Sequence, residues 1–138
     1  MIFPTVTALY GALLALLFMA LSLWVVIGRV KLRVHHGDGG EDQLNRRIRA
    51  QGNFAEYVPF ILLLAALLET SGAGRTTIHG LLAPLLVARI AHPVGMLAPV
   101  ASVQQFALRG ASTVITFLAL AVAAIMLLVR LLCPNWVG

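Results

Sequence analysis

Three polar residues stand at helical spacing where charged sequence gives way to apolar: Arg49, Asn53 and Glu56, at i, i+4 and i+7. On a helix all three project from one face. They offer a cation, an amide and a carboxylate, a set able to grip a small zwitterionic, hydrogen-bonding ligand. The stretch that carries them, Arg46 to Pro59, begins in charged sequence and leads into the apolar run Phe60 to Leu68. A carboxylate held just inside hydrocarbon is costly unless it is paired or faces a polar cavity. Glu56 therefore needs a purpose.

A second polar set follows at helical spacing, Arg89, His92 and Met96 at i, i+3 and i+7. An arginine this deep in apolar sequence requires a partner, and Glu56 is the only carboxylate at comparable depth on the same side. An Arg89–Glu56 ion pair is the purely structural reading; a ligand site containing both residues is compatible with it. Pro93 disturbs the helix directly after His92 and could free carbonyls to line a polar cavity. A third candidate is Arg109, opening the last apolar stretch, where the helix dipole opposes a cation. Either it marks a membrane boundary, or it faces a site and, with the N–H groups of the helix start, stabilises an anion such as a thiolate. Two other patterns carry less. His35-His36-Gly37-Asp38-Gly39-Gly40 has no third metal ligand at helical spacing and no lysine of a phosphate loop, so it reads as a turn and no metal site is assigned. The lone Cys133 excludes an internal disulfide and reads as an inert apolar packer.

The elements that must position these residues are membrane helices. The chain has 138 residues, 60% hydrophobic and 11% charged, with mean hydropathy +0.94, which is not the composition of a water-soluble domain. Four apolar stretches, at about 6–28, 53–70, 77–97 and 110–133, approach the roughly 20 residues needed to cross a bilayer. An all-α, four-helix membrane domain covering residues 1–138 is the expected architecture. The first stretch lacks a basic leader and a small-residue cleavage site, so it reads as a span rather than a cleaved signal. The net charge of +5 does not point to nucleic acid, because six of the ten basic residues (Arg29, Lys31, Arg33, Arg46, Arg47, Arg49) share the loop between spans one and two. That is the positive-inside pattern. It predicts cytoplasmic first and third loops and both termini outside.

Local signals refine this frame. Glu41 and Asp42 suit a helix start, so helix two is expected to begin near Glu41, project from the membrane and run unbroken into it. Gly52 is its weak point, and Pro59 a tolerated kink, as is Pro84 in span three. Glu69 and His79 are expected in water at the outer interface. The third loop, Leu97 to Leu108, is expected along the membrane surface. Trp24, Arg130 and Trp136 read as interfacial anchors.

The run Arg49-Ala-Gln-Gly-Asn53-Phe-Ala-Glu56-Tyr57-Val-Pro59 resembles the helix-two signature of the membrane-associated proteins in eicosanoid and glutathione metabolism, the MAPEG family. Arg89-Ile-Ala-His92 resembles the family's helix-three motif, and the Gly-Asp-Gly-Gly turn is most similar to its bacterial inner-membrane branch. The resemblance covers nearly the whole chain. It implies a homotrimer of four-helix protomers that binds glutathione as co-substrate between subunits near the cytoplasmic face. Arg49, Asn53, Glu56 and Tyr57 would hold the tripeptide from helix two, and Arg89 and His92 from helix three. Arg29, from the neighbouring protomer, and Gln51 match positions that contact glutathione in some members. Arg109 corresponds to the arginine that favours the thiolate in catalytic members. Met96 stands where several members have tyrosine, and the loop before Arg109 is longer than in the eicosanoid enzymes.

The implied activity is glutathione transfer to lipophilic electrophiles arriving from the bilayer, with glutathione peroxidase activity as its companion. A non-catalytic, lipid-binding scaffold on the same trimer is the alternative, distinguished by having no need to bind glutathione. A small transporter or proton carrier using Glu56, Arg89 and His92 would require inverted repeats that the chain lacks.

Overall fold

The computed structural model describes residues 3–133. Four helices run its length: α1 (Thr5–Leu32), α2 (Asp42–Thr70), α3 (Arg75–Leu97) and α4 (Val103–Leu132). Each is long and apolar enough to cross a membrane. The chain is an all-α, four-helix membrane bundle. α2 and α3 form its central pair, each packed on both outer helices, while α1 and α4 do not touch among the described residues.

The interior is a narrow column of aliphatic side chains, including Leu14, Ile61, Ile78, Leu82 and Leu85. The outside is apolar as well: Leu16, Leu63, Val87 and Leu118 are each more than half exposed. Such a surface suits hydrocarbon as solvent, and helices are the form in which backbone polar groups are satisfied there. At about 1.5 Å per residue, α2 is roughly 43 Å long and exceeds a hydrocarbon core of about 30 Å. Its first turns therefore extend beyond the membrane, starting at Asp42, one residue from the expected Glu41. It remains helical through Gly52 and Pro59.

The two ends of the bundle are tied by polar contacts that hydropathy does not reveal. At the basic end, Arg46 bonds Asp42 one turn back at 2.8 Å and donates to the Ala98 carbonyl at 3.1 Å. A cation there suits the negative end of the α3 dipole. Arg47 lies over the Trp24 ring, 4.8 Å from its centroid, so Trp24 anchors α1 to α2. At the opposite end Glu69 departs from expectation. It is only 6% exposed, and its carboxylate accepts from the N–H groups of Val6 (2.9 Å) and Thr7 (2.8 Å) and from the Thr7 hydroxyl (2.8 Å). The first N–H groups of a helix lack intrahelical partners, and a carboxylate at that positive end satisfies them best. Glu69 is the cap of α1, supplied by α2. His79 is exposed, as expected, and its Nδ1 lies 3.0 Å from the Tyr10 hydroxyl. Arg130 donates to the Ser71 carbonyl just beyond α2; Trp136 lies outside the described residues. Cys133, expected to pack, is exposed.

Replacing Glu69 by glutamine leaves one acceptor oxygen for three donors. Losing charge-assisted bonds in a buried site costs about 1–3 kcal/mol. Glu69→Gln is therefore expected to lower the thermal unfolding midpoint in detergent by several degrees. An unchanged midpoint would show that Glu69 does not hold α1.

The last helix also begins earlier than the span expected near residue 110. Ser102 accepts from the Gln105 N–H at 3.1 Å and starts α4 at Val103. The connection from α3 is then a short turn rather than a chain lying along the membrane. The helix widens into a π-turn over Phe106–Gly110 before continuing as Ala111–Leu132.

Candidate functional site

At the basic end, the helical period divides the α2 polar residues between two surroundings. About 100° per residue puts Arg49 and Glu56 within roughly 20° of each other, with Asn53 some 40–60° round the helix. Arg49 and Glu56 are accordingly exposed, while Asn53 is half-buried and turned toward the bundle. Further along the same side of α2, Phe60, Leu63 and Leu67 are exposed. Charged groups here continue a hydrocarbon-facing surface. Gly52 lies close by, with nothing within 4 Å of where its Cβ would stand.

Arg89 does not pair with Glu56. Its side chain is 1% exposed, with Nη1 donating to Asn53 Oδ1 at 2.7 Å and Nη2 donating to the Thr116 hydroxyl. Thr116 in turn donates to the Ser112 carbonyl at 2.8 Å. The 60° between Asn53 and Glu56 explains the exchange: the amide reaches the space between α2, α3 and α4, and the carboxylate is carried outward. Arg89 is thus a buried cation whose bonds among the described residues go to neutral groups. His92, one turn on, is buried beside it, and Met96 is buried a further turn along α3.

Arg109 sits within the π-turn of α4 rather than at the helix start, and it is exposed. It lines a cavity of about 640 Å³ with Ser102, Gln105, Thr113 and Phe117 among its neighbours. Phe117 also meets Tyr57 of α2 edge-to-face, with centroids 5.3 Å apart. This aromatic contact joins the α2 site residues to the wall of the Arg109 cavity. The π-turn is held by Gly95 of α3: a Cβ there would lie 2.5 Å from the Arg109 backbone nitrogen and 2.9 Å from Leu108. π-turns are rare and frequent at functional sites.

The remaining candidates lie elsewhere in the bundle. Gln51 is about 200° from Arg49 on the helix and approaches Ser22 of α1, with its Nε2 3.4 Å from the hydroxyl. Arg29, in the last turn of α1, is half-buried, and its Nε is enclosed without a partner among the described residues. It lines a groove of about 440 Å³ with Val26, Arg33 and His35. The bundle therefore gathers Asn53, Tyr57, Arg89 and His92, exposes Arg49, Glu56 and Arg109 at the same end, and holds Gln51 and Arg29 on another side. Residue type and spacing do not single out Thr116 or Gly95. Both are small residues whose roles depend on what faces them across the bundle.

The profile of the MAPEG family matches residues 7–129 of the chain. Among curated proteins, the chain is similar to "Inner membrane protein YecN" of Escherichia coli strain K12, with 41% identity over 90 residues, 65% of this chain and 69% of that protein. The protein of the same name from Escherichia coli O6:H1 matches with the same identity and coverage. No solved structure matches the chain.

Proposed function

The chain belongs to the MAPEG family, and from that premise we propose that it is a membrane-bound glutathione transferase acting on lipophilic electrophiles. The observation that carries this reading is the exposed Arg49–Glu56 face of α2, backed by Asn53 and the buried Arg89. Glu56 is a carboxylate at the edge of a hydrocarbon-facing surface, costly when left alone, and Arg49 stands two turns nearer the water on the same side of α2. A zwitterionic peptide such as glutathione supplies the complement of both. The Arg109 cavity, joined to α2 through Phe117 and Tyr57, supports a thiol bound near that guanidinium. Peroxidase chemistry would use the same activated thiol.

Two further features support the assembly we propose, a homotrimer with the site between protomers. Glu56, exposed where α2 enters the apolar span, gains a polar environment when another copy covers it. Arg29 and Gln51 lie away from the Arg49 face, as residues contributed to a neighbour's site would in a closed ring, where different patches of adjacent subunits meet. The clustered arginines favour the cytoplasmic side for this end, and the name of the curated relative supports a bacterial inner membrane.

Isothermal titration of glutathione into the detergent-solubilised chain tests the reading. Binding is expected in the millimolar range or tighter. Arg49→Ala should weaken it about a hundredfold, the scale for removing one partner of a desolvated charge pair. An absence of binding by the unmodified chain at millimolar glutathione would sink the transferase reading and favour the lipid-binding scaffold.

A further inference from the structure

We infer that Arg89 is a positioning residue for the ligand site: it fixes the amide of Asn53 so that the NH2 group, and not the carbonyl oxygen, faces the exposed side of α2. The role in ligand binding rests on the glutathione reading above; the orientation of Asn53 does not.

A guanidinium carries donors only. The Asn53 atom 2.7 Å from Arg89 Nη1 must therefore be the oxygen. This removes the two-fold ambiguity that an amide otherwise leaves in a hydrogen-bond network. With its oxygen bonded to Arg89, the amide leaves Nδ2 and its two N–H donors without a partner among the described residues and not enclosed, available to a ligand beside Arg49 and Glu56. Asn53 then recognises an acceptor, such as a carboxylate or carbonyl oxygen, and Glu56 is left as the acceptor of the three.

The bonds behind Arg89 hold this orientation in one sense. Nη2 donates to Thr116, and the Thr116 proton is committed to the Ser112 carbonyl. The hydroxyl can therefore only accept from Arg89, and no member of the chain from Arg89 to Ser112 can reverse. Burial keeps Arg89 itself from a ligand. Its side chain is 1% exposed, each terminal nitrogen gives one N–H to Asn53 or Thr116, and the Nε–H is enclosed in the protein. Any contribution it makes to binding must pass through Asn53. This departs from the expectation that Arg89 touches glutathione.

Two measurements on the full detergent-solubilised chain test the inference. The first is a double-mutant cycle read by glutathione titration. Asn53→Ala and Arg89→Met are each expected to weaken binding about tenfold, the scale of one hydrogen bond to a charged group. The double variant should be no weaker than either alone, because residues acting as one unit are not additive. Losses that multiply to about a hundredfold would mean Arg89 reaches the ligand by itself, and would overturn the inference. The second measurement needs no ligand. The side-chain NH2 resonances of Asn53 in protein labelled with 15N-asparagine should shift and narrow in Arg89→Met as the amide gains mobility. Thr116→Val should move them in the same direction by less, and it serves alone where Arg89→Met does not fold. Unchanged Asn53 resonances in these variants would overturn the inference. Shifted resonances in a chain that binds no glutathione would support the positioning role and reject the transferase reading.

Discussion

Gly95→Ala is expected to destabilise the bundle and disable the Arg109 region together. The added Cβ would stand 2.5 Å from the Arg109 nitrogen and 2.9 Å from both the carbonyl carbon and the Cβ of Leu108. Two of these atoms are backbone, so no side-chain rotation relieves the contact. Overpacking of this kind costs about 1–3 kcal/mol, occasionally more. Here the relief must come from moving the π-turn that carries Arg109. Gly80→Ala in the same helix is the control: nothing lies within 4 Å of its Cβ position. Replacing a helical glycine by alanine there should be neutral or should stabilise by up to about 1 kcal/mol. Thermal unfolding in detergent and the thiolate absorbance of bound glutathione, near 240 nm, read both effects. If Gly95→Ala matches the Gly80→Ala control in both, the α3–α4 contact does not set the position of Arg109.

Arg109→Ala is expected to leave glutathione bound within about threefold while removing the thiolate signal at pH 7, as an interaction with the ionised form alone would. A free thiol titrates near pH 8.5 and is mostly protonated at neutral pH. A nearby guanidinium favours the anion and lowers that value. Loss of one such stabilising group typically costs about 10²–10³-fold in the chemical step. The sign of the pH dependence follows from the same equilibrium. Raising the pH through the thiol's ordinary range forms thiolate without the arginine, so the deficit of Arg109→Ala in conjugating a lipophilic electrophile should shrink toward pH 9 and widen toward pH 6. A thiolate signal that survives in Arg109→Ala would remove this residue from the mechanism and leave only the binding face.

The four helices were legible because apolar runs of membrane length have few alternatives, and the α2 face was legible because Arg49, Asn53 and Glu56 follow the helical period. The same period misleads at finer scale. Residues within 60° count as one face in sequence, yet that angle separates an amide bonded to Arg89 from a carboxylate facing outward. The start of α4 was hidden by Gln104, Gln105 and Arg109, which depress hydropathy. A usable signal was present: Ser102 followed by Gln105 is the spacing of a helix-capping pair, and Ser102 does cap that helix. Gly95 and the π-turn left no such mark. A widened turn has no composition of its own, and the demand for glycine comes from α4, more than ten residues downstream. Glu69 was misread for a related reason. Its partners are backbone N–H groups of another helix, and nothing in residue type announces a backbone donor.

The Glu69 clamp also sets an order in time. Thr7 and Glu69 are 62 positions apart, so when the ribosome has delivered α1, the carboxylate that completes it has not yet been made. The first helix must wait at the membrane boundary with its leading N–H groups served by water or headgroups. Only a second helix that has crossed completely brings Glu69 to the same boundary as Thr7. A second helix that stalls or enters in the wrong register leaves α1 uncapped, with α3 as its one remaining neighbour among the described residues. Closure of the clamp therefore marks the moment at which the first hairpin has been threaded correctly.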